Sequence, residues 1–465
     1  MSERAVTEQE ASASSVLGRH GGVYVQPGGG AWREMVQASW SHARSNHAAL
    51  ALREQLGLPT DRPVVMSGHQ AVLWHPGILA KWYALRAAAG AMGAAAAWVV
   101  VDHDTDDLSV VHYPGRRAGI LTRAPWRWRE PLGSQVPACA ADARPPTQPA
   151  GDVAASEHIR SALARAMTTL RAHADEATAG RQVARATADL VGGVAPGLVY
   201  SSDMLRCPAC DQILESLAAD PQACVDAYNA AAVRHPEAGL RTLVADEIND
   251  RWELPLWRWA MGSPRQRVFA EELGSQLAGA RLAPRAIFMT GLLRSLACDL
   301  FIHGVGGGVY DVASEQWWGR WRPADRLAGT AVVSATLHLH TGDSETDAKR
   351  VVDRARWTAH HAAHNPRVTG DEPAQARKLE LARRISALPK RTAERREAFS
   401  ELHEFIAQHG RRAERSLAML RERAEEAARA GKDAADPAGR DWPFFLYPED
   451  ELRELERNIE QRVRG

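Results

Sequence analysis

The sequence predicts an α/β protein, a parallel-sheet core extended by a long antiparallel helical arm, and three observations predict it. First, the apolar run Val64-Val65-Met66 breaks into polar side chains at Ser67-Gly68-His69-Gln70 and is followed by a helix-like segment through Pro76 and Lys81. Second, a later apolar run, Ala97-Trp98-Val99-Val100-Val101, ends in Asp102-His103-Asp104. Two apolar runs with polar carboxyl ends, joined by a helix, are the pattern of parallel strands linked by a crossover. Third, residues 345–432 are charged, alanine-rich and glycine-poor, which reads as long helices folded back on one another.

That layout locates a site. In an open parallel sheet, ligands bind beyond the carboxyl ends of the strands. His69, Gln70, Asp102, His103 and Asp104 are therefore expected to project into one crevice. Gly68 lets the chain turn sharply out of the strand, and the next helix would aim free backbone N–H groups at the same place, a seat for phosphate or carboxylate. Two imidazoles among carboxylates supply acid–base groups near neutrality and ligands for a divalent ion. The same residues have a bland reading, because His–Asp pairs also serve as buried hydrogen-bonded struts.

At 465 residues the chain exceeds one ordinary core, which implies several domains or one large domain with appendages. Lys plus Arg equals Asp plus Glu, at 57 each, so no net field draws it to nucleic acid or to an acidic membrane surface. Residues 1–15 are polar and lack the apolar stretch of a secretory signal; the alanine-rich residues 87–97 are too short and too weakly apolar for a membrane span. A soluble, cytoplasmic protein is expected. The five cysteines, an odd number in a long chain, argue against a disulfide framework.

Taken in order, residues 1–31 read as loosely structured and residues 31–56 as one helix, with Met35, Trp40, Ala48, Leu50 and Leu52 as its apolar positions. Beyond the two-strand unit, residues 112–117 read as a turn, 120–128 as an extended segment and the Pro- and Ala-rich 131–152 as a surface excursion. Residues 156–191 have helical content and spacing, closed by Gly192-Gly193. Leu198-Val199-Tyr200 reads as a strand whose polar end, Ser201-Ser202-Asp203, faces the crevice, and residues 221–233 read as a helix. Residues 253–259 read as a strand, placed at an edge because Pro255 lacks a ladder donor.

Residues 286–300 are apolar and helical and lead into His303-Gly304-Val305-Gly306-Gly307-Gly308-Val309-Tyr310-Asp311. Four glycines in five positions predict a loop whose backbone approaches a ligand closely. The spacing matches no dinucleotide fingerprint, and the flanking His303, Tyr310 and Asp311 point to a binding role. In the arm, breaks fall at 364–372 and at Pro389, and Leu402, Phe405, Ile406, Leu417 and Leu420 form the narrow seam of a helical hairpin or coiled coil, a type of arm that often dimerises. Residues 442–448 return to the body before a short terminal helix. The segments are thus 1–155 and 198–344 for the two halves of the core, 156–197 for a helical insertion, 345–440 for the arm and 441–465 for a tail packed on the core.

Three clusters read as structural. Cys207-Pro208-Ala209-Cys210 has the gap of a zinc knuckle or redox pair, but no second ligand pair and no thioredoxin-like flank accompany it. His338 with His340, and His360 and His361 with His364, have spacings that suit a metal, yet exposed histidines of a polar arm are commoner than ligands, and no metal ligand is assigned. Trp317, Trp318 and Trp321 read as core.

The run Ser67-Gly68-His69-Gln70-Ala71-Val72-Leu73-Trp74, followed by a Pro-Gly pair and a helix, and then Trp98 to Asp104 with Asp107, resembles the bacillithiol biosynthesis cysteine-adding enzymes. That family carries Gly-Gln-Gln at the first position and Glu-Asp-His-Asp at the second. Residues 299–311 are similar to its late Gly-Gly loop, and the charged helical region is similar to its coiled-coil arm. The likeness runs through most of the chain in order and is carried by three short motifs. It implies a Rossmann-like core related to nucleotidyltransferases and class I synthetases, a homodimer through the helical hairpin, and addition of cysteine to glucosaminyl malate, an amino-sugar conjugate. His69 stands where the family has glutamine, His75-Pro76-Gly77 replaces a Gly-Pro element, Lys81 is offset, and Val101 replaces an acidic residue. These departures mark a divergent member with room for a different amine or acyl substrate.

Amide ligation requires a carboxylate activated by ATP or another nucleotide. On that reading His69 stabilises charge on phosphate, while Ser67, Gly68, Gln70, His75, Lys81, His303, Gly304, Gly306, Gly307, Gly308, Tyr310 and Asp311 bind nucleotide or substrate. Asp102, His103 or Asp104 orients the amine or accepts its proton. Two other readings stand beside it: nucleotidyl transfer to a small molecule, and a non-catalytic Rossmann-like binding protein dimerised by its arm, with the histidines as struts.

Overall fold

A computed structural model describes residues 13–149, 155–249, 251–273, 281–339, 348–435 and 439–465. Its strands are β1 (Gly22–Gln26), β2 (Val64–Gln70), β3 (Ala95–Val101), β4 (Val110–Arg117), β5 (Ile120–Arg127), β6 (Gly197–Tyr200), β7 (Ala245–Asp246), β8 (Arg251–Trp259), β9 (Gln266–Phe269), β10 (Arg281–Pro284), β11 (Leu300–His303) and β12 (Gly329–Thr336). One sheet runs β1-β12-β11-β2-β3-β6. All its neighbours are parallel except β1, which lies antiparallel on β12. From β6 to β12 the parallel strands stand third, second, first, fourth and fifth in chain order, so the winding reverses between β2 and β11. Such a reversal opens a crevice at the carboxyl edge.

The apolar runs form these strands because both faces of the sheet are covered, and alternate residues serve opposite faces. Val65, Trp98, Val100, Leu300 and Ile302 join Leu79 and Trp82 of the Pro76–Met92 helix in one core. Val64, Met66, Ala97, Val99 and Phe301 join Leu52, Leu292 and Trp317 in the other. The returning tail belongs to the first core through Trp442, Phe444, Phe445 and Leu446, and its Glu449–Arg464 helix lies along Pro76–Met92. A smaller antiparallel sheet, β10-β8-β7 with β9 beside β8, faces the carboxyl edge.

Several elements differ from the sequence reading. Gly22–Gln26 is an edge strand, too short for its pattern to register before the Pro-Gly run. Residues 31–56 form two helices, Trp32–Ala43 and His47–Gln55, because the Asn46 side chain accepts from the Ala48 and Ala49 amides and starts a new helix. Residues 112–117 belong to β4, paired along its length with β5 through a turn at Ala118-Gly119, both at positive φ. β8 is central in its sheet; Pro255 is tolerated because the ladder to β9 shifts register between Leu254 and Trp257, where no donor is needed. Ser201-Ser202-Asp203 opens a short helical turn after β6.

The arm consists of the helices Ala348–Ala362, Glu372–Ala387, Ala393–Arg412 and Glu414–Lys432. The first packs along the last and the second along the third. Leu417 is buried in the seam, whereas Leu402, Phe405, Ile406 and Leu420 are half-buried. No helix among the described residues is long and apolar enough to cross a membrane. Trp317 and Trp318 are core, as read, and Trp321 stacks on Trp317 at 5.4 Å. Cys207 and Cys210 are buried, and burial pushes the Cys210 thiol up to about 12. His360, His361 and His364 lie on or just after the first arm helix, and His340 lies outside the described residues.

Candidate functional site

A cavity of about 650 Å³ opens at the switch point, between the carboxyl edge of the parallel sheet and the small antiparallel sheet. Gly68, His69, Gln70, His75, Lys81, His103, Asp104, His303, Gly304, Gly306, Gly307 and Tyr310 all line it. His69 at the end of β2, His103 just after β3 and the glycine segment therefore meet, although they are far apart in the chain.

Four sequence-selected residues lie behind the cavity wall. Ser67 is buried and its hydroxyl donates to the Ile302 carbonyl at 2.7 Å, stitching β2 to β11. Gly308 packs on β12; a Cβ there would stand 2.8 Å from Val332 Cγ2. Asp311 accepts from Arg294 at 2.6 Å and lies 3.4 Å from His303 Nε2. Burial raises its pKa, but His303 and Arg294 outweigh this and hold the carboxyl at about 2. Asp102 faces a cage of hydroxyls, described below. Gly68 also has a different reason from the one expected. It does not turn the chain out of β2; a side chain there would press within 2.5 Å of the Val99 carbonyl on β3.

The glycine segment is not a loop. Gly304 caps a helix, Val305–Trp321, so three glycines occupy its first turn. Low helix propensity is overridden because Gly307 and Gly308 press on His303 and Val332, where a side chain does not fit. The first intrahelical bond in this turn is Gly308 N–H to the Gly304 carbonyl, and Gly304 offers no side-chain cap. The Val305, Gly306 and Gly307 amides are thus unspent, with the positive end of the helix dipole, at the cavity. The Pro76–Met92 helix differs: Pro76 has no N–H, and the Gly77 amide donates to His75 Nδ1 at 3.1 Å. The anion seat expected at that helix is occupied by the protein's own imidazole.

Electrostatics follow from burial. His75, as an acceptor at Nδ1, is neutral; burial and the nearby Arg440 guanidinium lower its pKa to about 4. His69 is held well below the ordinary imidazole range by burial and then by Lys81. Lys81 donates to the Gly68 carbonyl, sits 5.4 Å over the Trp98 ring, and is lowered by desolvation to about 7. This gives a pH prediction. Between about pH 6 and pH 9 the lowered histidines stay neutral while Lys81 loses its charge, so affinity for an anion is expected to fall as pH rises. The unfolded chain holds this lysine proton up to 10.5, so between about 7 and 10.5 the same group makes stability rise with pH. Lys81→Met is expected to flatten both dependences, read by phosphate titration calorimetry and by melting temperature against pH.

His103 belongs to a relay the sequence reading did not assign. Its Nδ1 lies 2.7 Å from Ser201 Oγ, and that hydroxyl stands 3.0 Å from Asp102 Oδ1 and accepts from the Asp102 amide at 3.2 Å. Asp102 also accepts from the Ser202 amide and hydroxyl, at 2.9 and 2.7 Å. With Asp102 ionised, the Ser201 hydrogen goes to its carboxylate and Ser201 accepts from His103, which places the ring proton on Nδ1 and leaves Nε2 as a lone pair. Burial lowers the His103 pKa to about 4, so this neutral tautomer persists at neutrality. Asp102 thus reaches His103 through Ser201, and burial raises its carboxyl above the ordinary range against the lowering effect of the Ser202 and Ser201 hydrogen bonds. Asp104 is held by Gln70 at 3.3 Å and by Arg265 at 3.4 Å.

The largest omission is cationic. Besides Lys81, which the sequence did single out, Arg241, Arg265, Arg267, Arg285 and Arg440 line the cavity with two carboxylates, Asp104 and Glu253. Of these arginines, only Arg265 and Arg267 carried a local signal, a period-two pair that a strand places on one face. No family model matches this chain, and no curated protein matches it.

Proposed function

We propose that the cavity binds a nucleoside triphosphate and that the protein is an enzyme, a ligase that uses it to join a carboxylate to an amine. The reaction class is addition of cysteine to the amine of an amino-sugar conjugate, as in thiol biosynthesis of the bacillithiol type. One observation carries the reading: unspent amides of a glycine-opened helix, the cations Lys81 and Arg440, and a neutral histidine with a free lone pair converge on one cavity at a switch point. The strand order that makes this switch point supports a Rossmann-like, nucleotidyltransferase-like description of the core.

The roles follow from the contacts. The Val305, Gly306 and Gly307 amides, with Lys81 and Arg440, neutralise phosphate oxygens, and His69 donates from its ring to the same group. ATP transfers phosphate or adenylate to the cysteine carboxylate, releasing ADP or pyrophosphate. The amine then attacks the activated carbonyl, expelling phosphate or AMP, while His103 Nε2 accepts the amine proton. The helical arm serves as the contact of a cytoplasmic homodimer. Full-length protein incubated with ATP, cysteine and glucosaminyl malate is expected to give a product of the summed masses less one water, with one nucleotide cleaved per product. Pyrophosphate release that does not depend on cysteine identifies nucleotidyl transfer instead. His69→Ala is expected to weaken ATP binding about tenfold at an unchanged melting temperature; a melting loss without any change in binding returns His69 to the role of a strut.

A further inference from the structure

Two of the three buried arginines among the described residues, Arg53 and Arg294, are matched by carboxylates. Arg53 pairs with Asp299, and Arg294 lies between Asp311 and Glu315. The wall supplied by the small sheet breaks that pattern. Glu253, fully buried on β8, is the shared partner of Arg285 at 2.7 Å, Arg267 at 3.5 Å and Arg241 at 3.5 Å. Its Oε2 also accepts from the Val244 amide at 3.1 Å. One carboxylate thus answers three guanidiniums, and its lone pairs are spent.

The guanidiniums are not spent. Each carries five N–H donors. Among the described residues Arg241 and Arg267 each make one polar side-chain contact, the long one to Glu253; both line the cavity, and their side chains are 61% and 42% exposed. Arg285 is fixed more firmly, donating from Nε to the Leu256 carbonyl at 3.1 Å with its guanidinium 4.1 Å over the Trp257 ring. Arg265, also over Trp257 at 4.4 Å, is already answered by Asp104. Two positive charges therefore remain without a counter-ion on one wall, and guanidinium groups are suited by their planar fork of donors to carboxylate and phosphate.

We infer that Arg241, Arg267 and Arg285 form a second anion subsite, which takes a carboxylate or phosphate group of a ligand other than the nucleotide. The inference rests on the proposed function in assigning the nucleotide phosphates to the glycine-helix wall. It adds a specificity rule: the second substrate is itself an anion, and Trp257 and Glu253 set the guanidinium positions that select it.

The test uses the full-length protein, with inorganic phosphate and succinate as probes in titration calorimetry, each with and without saturating ATP. One probe is expected to bind in the presence of ATP, and the tighter of the two identifies the group as phosphate or carboxylate. In Arg267→Gln its affinity is expected to fall roughly tenfold, and further in the Arg241→Gln, Arg267→Gln double variant, with ATP affinity within twofold of the parent. Displacement of both probes by ATP, or a parallel loss of ATP affinity in the variants, overturns the inference, because the arginines then hold the nucleotide itself. Binding of neither probe also overturns it. A protein that binds a probe through Arg267 but does not bind ATP keeps this subsite and refutes the proposed function, so the two failures are distinct. Melting curves of both variants, expected to overlay the parent because Arg241 and Arg267 are exposed, guard against loss of fold.

Discussion

If the proposed ligation is the reaction, replacing His103 by glutamine is expected to lower its turnover by about 10²–10⁴-fold, the range for removal of a general base, with ATP affinity nearly unchanged. The expectation rests on the tautomer. Ser201 can accept from His103 only because its own hydrogen goes to Asp102, so the lone pair is left on Nε2, on the edge of the ring away from Ser201. Ser201→Ala removes the acceptor and leaves the ring in place, so it is expected to reduce kcat by a smaller factor and to mix the two tautomers. Nitrogen NMR of the histidine side chains separates this from a packing defect: the parent shows His103 protonated at Nδ1, and Ser201→Ala does not. With the His103 pKa at about 4, the base is already neutral at pH 6, and the rate should decline only as the solution is acidified toward that value. A His103→Gln protein with unaltered kcat would remove the base from the scheme.

Asp299→Ala is expected to destabilise the fold by about 3–5 kcal/mol, the range for stranding one partner of a buried ion pair. Asp299 and Arg53 are both fully buried, 3.1 Å apart, and the other Asp299 oxygen accepts from the Val64 amide at 2.7 Å. The carboxylate ties the start of β2 to the start of β11, the two strands that flank the switch point. Its loss leaves a desolvated guanidinium and an orphaned amide together. Urea unfolding followed by tryptophan fluorescence measures the effect, and Asp299→Asn, which keeps an acceptor for Val64, is expected to lose less. Glu401→Ala, on the exposed arm pairs with Arg377 and Arg384, is expected to leave the midpoint where it was. A midpoint equally unmoved in Asp299→Ala would show that the pair contributes nothing to the core.

How much of this was legible in the chain follows from how far each signal reaches. β2 and β3, their polar carboxyl ends and the helices of the arm are written in segments short enough for burial periodicity to show. The switch point needed β11 as a third strand, but only Leu300 of it fell in the apolar helical reading of 286–300, and Phe301, Ile302 and His303 were too few before the glycines to register as a strand. Gly306, Gly307 and Gly308 read as a loop because propensity is local, whereas the helix they open is fixed by His303 and Val332, which are neighbours only in the folded protein.

The residue types at positions 69, 70, 103 and 104 were enough by themselves to select one face of the core, since strand ends in a parallel sheet share an edge. Which of them touch the cavity was decided by the tertiary structure. Asp102 and Asp104 are two residues apart, yet one accepts hydroxyls in the interior and the other meets Arg265 at the cavity. The charge of the cavity was decided there too: Arg241, Arg285 and Arg440 come from separate segments, and the chain's net charge of zero gives no hint of them. Periodicity records which side of a segment is buried, but a field is a sum over neighbours in space, and only folding brings those neighbours together.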